Sequence, residues 1–178
     1  MTDGYRWTGN TLGPRLEELR RNYADPHEPL AAIGEVMIGS TQETMQEGGR
    51  PDKYKPLSLA TLIARAGGIA RAFTKKARGR HEYSAASLTT RAAKTMGEAQ
   101  PLIWTAHLLH SIAARVVGWS VQWGTDLIQA ALLNFGGMAG RGHKVHVPGR
   151  GFMLPPFDPE WRDIERILTR WAFGEAAA

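Results

Sequence analysis

The fold class is decided by the middle of the chain, where residues 113–137 read AARVVGWSVQWGTDLIQAALLNFGG. From Val117 to Trp123, large apolar side chains alternate with small or polar ones, which is the two-residue period of a half-buried strand. We predict two antiparallel strands between residues 102 and 124. Their turn lies either near residues 113–115 or at Gly118.

A helix follows these strands directly. The apolar residues between 127 and 132 have helical spacing, and Thr125 or Asp126 is expected to cap the start. We predict that this helix runs through Asn134 and that the next two glycines end it. Residues 136–143 are rich in glycine and are expected to form a flexible loop, and residues 144–147 a further strand.

Helices are predicted at both ends of the chain. Pro14 and Pro29 mark two helix starts, and Ser58 is a capping residue for a short third helix. Near the end, Asp158-Pro159-Glu160 combines a cap, a first-turn proline and an acid beside the positive helix end. Helices first, strands in the middle and a helix last predict an α+β fold, with N-terminal helices, a small, mostly antiparallel sheet with a packed helix, and a C-terminal helix.

Length and composition favour one domain that avoids the membrane. The 178 residues suit a single domain over 1–178, with a frayed tail at 174–178. No apolar run approaches the ~18–20 residues of a membrane span, and the polar N-terminus lacks a signal-peptide core. The absence of cysteine excludes disulfides and thiolate metal sites, and it suits a reducing cytoplasm.

Positive charge is concentrated in one segment. Residues 65–94 hold eight Lys and Arg against the single acid Glu82, a net charge of +7 in a chain whose total is +5. We expect a flexible basic insertion over about 66–97 that lacks core residues, so that deletion of 68–82 leaves a folded protein. Clustered cations suit a phosphate backbone or an acidic partner. The candidate interaction residues are Arg71, Lys75, Lys76, Arg78 and Arg80.

Histidine pairs are the candidates for a metal site. His107 and His110 are three residues apart, as are His143 and His146, and such pairs chelate a metal on a helix when a third ligand converges. Packing explains the first pair equally well, and in a strand the second pair would point to opposite faces. No nucleophile elbow or phosphate-binding fingerprint occurs. We therefore predict no catalytic site, metal or cofactor, and an enzyme with a histidine-based site stays a third alternative.

Six tryptophans are a stronger lead than the histidines. Trp104, Trp119 and Trp123 lie in or near the predicted sheet, and Trp161 and Trp171 lie on the last helix. We expect core packing to account for most of them and a subunit interface to account for the remainder.

Four segments, in a fixed order, resemble a known family. They are Tyr54-Lys-Pro-Leu-Ser-Leu-Ala-Thr61, Pro101-Leu-Ile-Trp-Thr-Ala-His-Leu-Leu-His-Ser-Ile112, Asn134-Phe135-Gly136-Gly137 and Val147-Pro-Gly-Arg150-Gly-Phe152-Met-Leu154. From about residue 12 to residue 173 the chain resembles the phage virion morphogenesis (tail completion) proteins typified by phage Mu. It departs from the family pattern at Ala106, Gln129, Leu133, Gly149 and Gly151, and its residues 66–97 are longer than the family's usual connection.

The resemblance implies a non-enzymatic structural protein that acts in virion assembly, as a tail completion or head–tail junction (neck) protein. It implies a ring oligomer, expected to be a hexamer, built through a heterologous interface. The implied partners are other copies of the chain and the neck, connector and tail tube proteins, with no membrane. The implied location is the tail or neck of the virion, after assembly in the host cytoplasm.

On this resemblance, five residues have fold or interface roles: Phe135, Gly136, Gly137, Arg150 and Phe152. The two phenylalanines are expected to anchor the turn after the helix and the extended segment. Arg150 would donate within its own subunit, which we favour, or across to a neighbour. The basic segment would face DNA in the channel or an acidic partner surface. The alternative function is nonspecific nucleic-acid binding by residues 65–94.

Overall fold

The computed structural model describes residues 12–173, which form nine α-helices, one 3₁₀ turn at Ala85–Ser87 and four short strands. The predicted α+β class is confirmed. The frayed tail predicted at 174–178 lies outside the described residues. In chain order the elements are α1 (Leu12–Ala24), α2 (His27–Gln46), α3 (Leu59–Arg65), α4 (Ile69–Ala72), α5 (Lys75–Arg80), α6 (Thr90–Gly97), α7 (His107–His110), β1 (Ala113–Val117), β2 (Ser120–Gly124), α8 (Ile128–Phe135), β3 (Gly137–Ala139), β4 (Val145–Val147) and α9 (Asp158–Phe173).

The chain divides into two compact units, each assembled from separate parts of the sequence. Among the described residues, unit 1 comprises 12–40, 113–123 and 155–173. Unit 2 comprises residues 41–112 and 124–154. The expectation of a single domain over 1–178 stays a prediction.

Unit 1 is built on α1, the first part of α2, the β1–β2 hairpin and α9. Its core contains Ile33 and Met37 of α2 and Ile164 of α9. Two reciprocal hydrogen bonds link α1 to α9: the Asn22 amide donates to the Trp171 carbonyl (3.0 Å), and the Trp171 indole donates to the Asn22 carbonyl (3.1 Å). These bonds satisfy backbone carbonyls near the ends of both helices, where no intrahelical donor is available.

The β1–β2 hairpin turns at Gly118, which is one of the two positions that the sequence predicted. Gly118 has φ 59°, a left-handed conformation that glycine adopts without steric cost. The other predicted position, residues 113–115, lies within β1 instead. The strands therefore begin at residue 113, and residues 107–110 form the short helix α7.

The second hairpin belongs to unit 2 and corrects part of the prediction of a flexible loop over 136–143, because only residues 140–143 form a turn. Gly137–Ala139 form β3, which pairs antiparallel with β4 in the register Met138 to His146. The strand predicted at 144–147 is present as β4. Within residues 12–173 the two hairpins are separate two-stranded sheets.

The basic segment is folded, which corrects the expectation that it is a loop without core residues. Helices α4, α5 and α6 and the 3₁₀ turn occupy residues 69–97. Ala72, Phe73, Ala77 and Ala92 are all at least 95% buried, and together they form a hydrophobic cluster. Hydroxyl groups cap α5 and α6, where Thr74 and Thr89 accept bonds from backbone amides three residues later. The small alanines allow these short helices to pack closely.

Large apolar side chains are exposed in places where the sequence favoured core positions. Trp104 and Trp119 are each 63% exposed, and Trp161 is 56% exposed. The expectation that most tryptophans are in the core is therefore wrong for these three. Among the described helices, none is both long enough and apolar enough to cross a bilayer.

Candidate functional site

Three of the segments that carry the family resemblance meet in unit 2, although about 95 residues separate the first from the last. The Tyr54 hydroxyl donates to the Gly151 carbonyl (3.1 Å). The Arg150 guanidinium donates through Nη2 to the Lys55 carbonyl (3.2 Å). These two bonds join the Tyr54–Thr61 segment to the Val147–Leu154 segment. We call these segments, together with the end of α8 that contacts them, the motif junction. It consists of Tyr54, Lys55, Leu133, Asn134 and residues 150–153.

The end of α8 supplies the third part of the motif junction. The Asn134 side-chain oxygen accepts hydrogen bonds from the Phe152 amide (2.9 Å) and the Met153 amide (3.0 Å). The Leu133 carbonyl accepts from the Arg150 amide (2.8 Å). One helix end therefore orders the extended segment, which has no strand partner of its own at these positions.

Gly136 and Gly137 fit this arrangement because the chain has no room for a side chain there. Gly136 has φ 78°, and a Cβ at this position would lie 2.5 Å from the Gly149 nitrogen. A Cβ at Gly137 would lie 3.0 Å from Leu132 Cδ1. Gly136 is thus a turn residue at a close backbone approach, whereas Gly137 is the first residue of β3 and lies against the Leu132 side chain.

The two aromatic anchors predicted from the resemblance have different environments. Phe152 is 1% exposed and belongs to the core. Phe135 is 82% exposed, so the prediction that it anchors the turn is wrong. Ile128, which was assigned to the apolar face of the same helix, is 96% exposed. The sequence did not distinguish them because α8 carries apolar residues on most of its surface.

The exposed apolar residues of α8 lie on one face. Ile128, Ala131 and Phe135 are spaced by three and four residues, so they form a stripe along the helix, and all three are exposed. We call this the α8 stripe. Ala130 is the one fully buried residue of α8. In the last turn of the helix, the Asn134 side chain and the Leu133 carbonyl belong to the motif junction.

Burial controls the electrostatics of the motif junction. Burial raises the pKa of the Tyr54 hydroxyl to about 12, although the positive charges of Arg150 and Arg50 act in the opposite direction. Burial also lowers the pKa of Arg150, which the nearby Tyr54 partly offsets. Arg50 itself pairs with Glu43 at 3.2 Å. The Tyr54 hydroxyl is therefore a neutral donor at ordinary pH.

Arg65 is a partly buried cation of the basic segment, and the sequence pattern gave it no separate role. Its Nη1 donates to the Gln100 carbonyl (2.7 Å), and its guanidinium lies over the Trp104 ring at 5.5 Å from the centroid. Burial, and then the charge of Arg150, lower the pKa of Arg65. Trp104 was the sequence feature that could have indicated this contact, because arginine guanidinium groups commonly stack on tryptophan rings.

The five candidate interaction residues of the basic segment lie on a packed helical scaffold. Arg71, Lys75, Lys76 and Arg80 are exposed, and Arg78 is partly buried. Within the described part of the chain, none of the five forms an ion pair with a carboxylate. Ala77, on the opposite side of α5, is buried in the cluster below them. We call these five residues the basic face.

The predicted histidine pairs do not converge with other ligands. His107 and His110 are exposed at the two ends of α7, and His143 and His146 are exposed in the second hairpin. No group of three or more His, Asp or Glu side chains suited to a metal ion occurs in residues 12–173. The prediction of no metal stays a prediction.

A cleft of about 650 Å³ opens in unit 1, and its lining includes Asn22, Asp163, Arg166 and Trp171. Several of its polar groups are already engaged with one another. Asp163 accepts a hydrogen bond from Arg166 at 2.8 Å, and the Asn22 amide donates to the Trp171 carbonyl. This part of the lining therefore offers apolar surface and a paired charge.

Comparisons of the chain with protein-family models, with curated proteins and with solved structures found no match.

Proposed function

We propose that this chain is a non-enzymatic structural protein of a tailed phage, which assembles as a ring at the tail end or the head–tail junction. The observation that carries the proposal is the motif junction. The segments behind the family resemblance are distant in sequence, yet the structure joins three of them by hydrogen bonds around Arg150 and Asn134. The three segments therefore form one hydrogen-bonded structure, which a fold shared with that family would require.

The α8 stripe supports the oligomeric part of the proposal. A side chain of phenylalanine or isoleucine that is more than four-fifths exposed leaves most of its apolar area in water. Burial of an aromatic side chain at an interface covers about 150–250 Å² and often dominates the binding energy. Since a ring needs two different patches on each copy, the stripe would be one of them.

Self-association measured by mass photometry and analytical ultracentrifugation tests this proposal. The double variant Ile128→Ser/Phe135→Ser should remain monomeric where the wild type forms closed rings. The matched control is Ile69→Ser, which changes another exposed apolar residue of unit 2 and should leave the rings intact. A wild type that stays monomeric at every concentration, or rings that survive the double variant, would contradict the assignment of the stripe.

The basic face supports a second candidate function, nonspecific binding of nucleic acid. Its cations are mostly exposed, clustered on short helices and free of carboxylate partners within the described residues. Tyr83, the nearby aromatic residue, is 46% exposed and packs on Phe73 with 4.9 Å between ring centroids. Since five cations and one aromatic residue make up this surface, contact would be mainly with phosphates and carry little sequence preference.

The salt dependence of DNA retention separates this candidate from the first. Each phosphate contact contributes about −0.9 to the slope of log K against log salt concentration. The variant Lys75→Gln/Lys76→Gln/Arg80→Gln should therefore reduce the slope by up to about 3. The control is Arg20→Gln/Arg166→Gln, which removes two cations that already pair with Glu17 and Asp163. Equal slopes for the two variants would exclude the basic face as the DNA contact.

A further inference from the structure

The cleft in unit 1 has an apolar floor that the core of this unit supports. The floor is formed by Ala32 and Val36 of α2 and by Ile167 and Trp171 of α9, which are all partly exposed. Val36 and Ile167 also pack against the buried cluster beneath them. The apolar surface of the cleft is therefore open to solvent and held in place by two packed helices.

The size and the polar groups of the cleft suit apolar side chains better than a small molecule. Its volume of about 650 Å³ lies in the range of about 300–1,000 Å³ that holds a drug-sized ligand, so a few side chains would fill it. A small-molecule site also needs polar groups that are free to orient the ligand. Here Asp163 is bonded to Arg166, and Asn22 and Trp171 are bonded to each other.

Exposed aromatic rings extend the apolar surface beyond the cleft. The Trp171 ring lies 4.8 Å from the Tyr23 ring and 6.4 Å from the Trp119 ring, measured between centroids. Tyr23 is 51% exposed and Trp119 is 63% exposed. A stable protein interface covers about 800 Å² on each partner, and one large aromatic side chain can bury about 150–250 Å². The two rings thus enlarge the cleft towards the area that a protein partner needs.

The charges beside the cleft and beside the α8 stripe are opposite. Arg170 lines the cleft, is exposed, and has no carboxylate partner within residues 12–173. Asp126 lies two residues before the stripe begins, is exposed, and has no cationic partner in the same range. Opposite charges at the rim of an interface fix its register and orientation.

We propose that the α8 stripe of one copy of this chain occupies the unit 1 cleft of the next copy. The proposal rests on the ring proposed above and identifies both of the surfaces that the ring needs. Ile128 and Phe135 would cover the apolar floor, and Asp126 would pair with Arg170. The stripe belongs to unit 2 and the cleft to unit 1, so the two patches share no residue, as a heterologous interface requires.

Cysteine crosslinking of the full chain tests this contact, because the chain has no cysteine of its own. Ala131→Cys places a thiol in the middle of the stripe and keeps both large anchors, and Ala32→Cys places one in the cleft floor. With a short bis-maleimide, the variant that carries both substitutions should give a ladder of covalent multimers on a denaturing gel. A mixture of the two single variants should give dimers only, and each single variant alone should stay uncrosslinked.

The matched control is Gly39→Cys/Ala131→Cys, since Gly39 is an exposed residue of α2 outside the cleft lining, and it should give no ladder. Rings that form by mass photometry but do not crosslink through the Ala32 pair would overturn the cleft contact and leave the ring proposal standing. A wild type that stays monomeric would overturn both. Covalent dimers of Ala131→Cys alone would also overturn the contact, because the stripe would then pack on a second stripe.

Charge reversal tests the pairing of the two rim residues. Arg170→Glu and Asp126→Arg should each weaken ring formation by about tenfold or more, because each places like charges opposite one another. The variant that combines both substitutions should recover most of the loss. Thermal unfolding should show that all three variants fold, since both side chains are exposed. Folded single variants whose effects simply add in the combination would overturn the pairing.

Discussion

Single residues on α2 show how closely unit 1 is packed. Gly34 is buried where the helix meets the β1–β2 hairpin, and a Cβ there would lie 2.8 Å from Ala114 Cβ and 3.2 Å from Val121 Cγ2. Gly39, five residues further along the same helix, is exposed, and a Cβ there would meet no neighbouring side chain within 4 Å. Close packing against the hairpin therefore leaves no room for a side chain at Gly34, whereas there is room for one at Gly39.

The variant Gly34→Ala should therefore destabilise the protein by about 1–3 kcal/mol, because the methyl group overpacks the contact with the hairpin. Gly39→Ala should be neutral or stabilising by up to about 1 kcal/mol, since alanine is the better helix former. Chemical denaturation of both variants is the measurement. Equal effects of the two substitutions would show that α2 does not pack on the hairpin at Gly34.

The Tyr54 hydroxyl should make stability depend on pH in the alkaline range. Its folded-state pKa of about 12 lies above the ordinary value of about 10, so the folded protein keeps a proton that the unfolded chain loses. The stabilising contribution is complete below pH 10 and is lost as the pH rises through 12. The difference in unfolding free energy between wild type and Tyr54→Phe should shrink over this range.

Tyr83→Phe, which alters an exposed tyrosine of the same unit, is the control for general alkaline effects. Subtraction of its pH profile removes the contribution of lysines and of the denatured state. A Tyr54→Phe profile that runs parallel to the wild type from pH 10 to 12 would mean that the hydroxyl is not buried in the folded protein.

Residue types and spacing located the turn glycines but not the partners of the side chains. Gly136 is recognisable as a helix stop, and Gly118 as a turn, because both positions need a left-handed backbone. The exposure of Phe135 and the burial of Phe152 were not recognisable, since both lie next to glycine in apolar surroundings. Only the tertiary contacts of Asn134 with the 152–153 backbone decide between them.

At the scale of elements, long periodic segments were predictable and short ones were not. The strand pair ending near Gly124, the C-terminal helix and the Ser58 cap were expected, and the Ser58 hydroxyl accepts from the Thr61 amide at 3.3 Å. Helices α4 and α5 are four and six residues long. Segments of this length have almost no periodicity, and isolated helices so short are unstable in water, so tertiary packing creates them.

The alanine-rich composition of the basic segment is the physical reason for the wrong loop prediction. Small side chains add little to a hydrophobicity count, yet Ala72 and Ala92 are almost completely buried and let their helices approach closely. Phe73 is 5% exposed and supplies most of the apolar volume of the cluster.

The structure consequently reverses the expectation for deletion of residues 68–82. Phe73→Ala should lower the stability of the protein by about 3–5 kcal/mol, because it removes a buried aromatic ring and leaves a cavity. Ile69→Ala in the preceding helix α4, where the Ile69 side chain is 49% exposed, should cost much less. Both effects can be measured as shifts in the thermal midpoint. A full-sized cooperative transition in the 68–82 deletion variant would restore the loop interpretation.

At the scale of the whole molecule, the charge of the chain belongs to a defined surface. The net charge of +7 in residues 65–94 is carried by helices with their own core, and the remaining residues carry a small negative excess. Three exposed tryptophans and the α8 stripe add apolar surface that a ring interface would cover. Sequence alone identified the basic segment and the resemblance, whereas the α8 stripe and the burial of Arg150 depend on folding.

The most direct test of the assembly role is to locate the chain in particles. Tailed particles from the cell that carries this gene would be imaged by cryo-electron microscopy, and the fold of residues 12–173 would be fitted to the density. Our account predicts a ring of copies at the upper end of the tail or at the head–tail junction, with α8 in the contact between neighbouring copies. Finished particles that contain no copy of the chain would contradict the account.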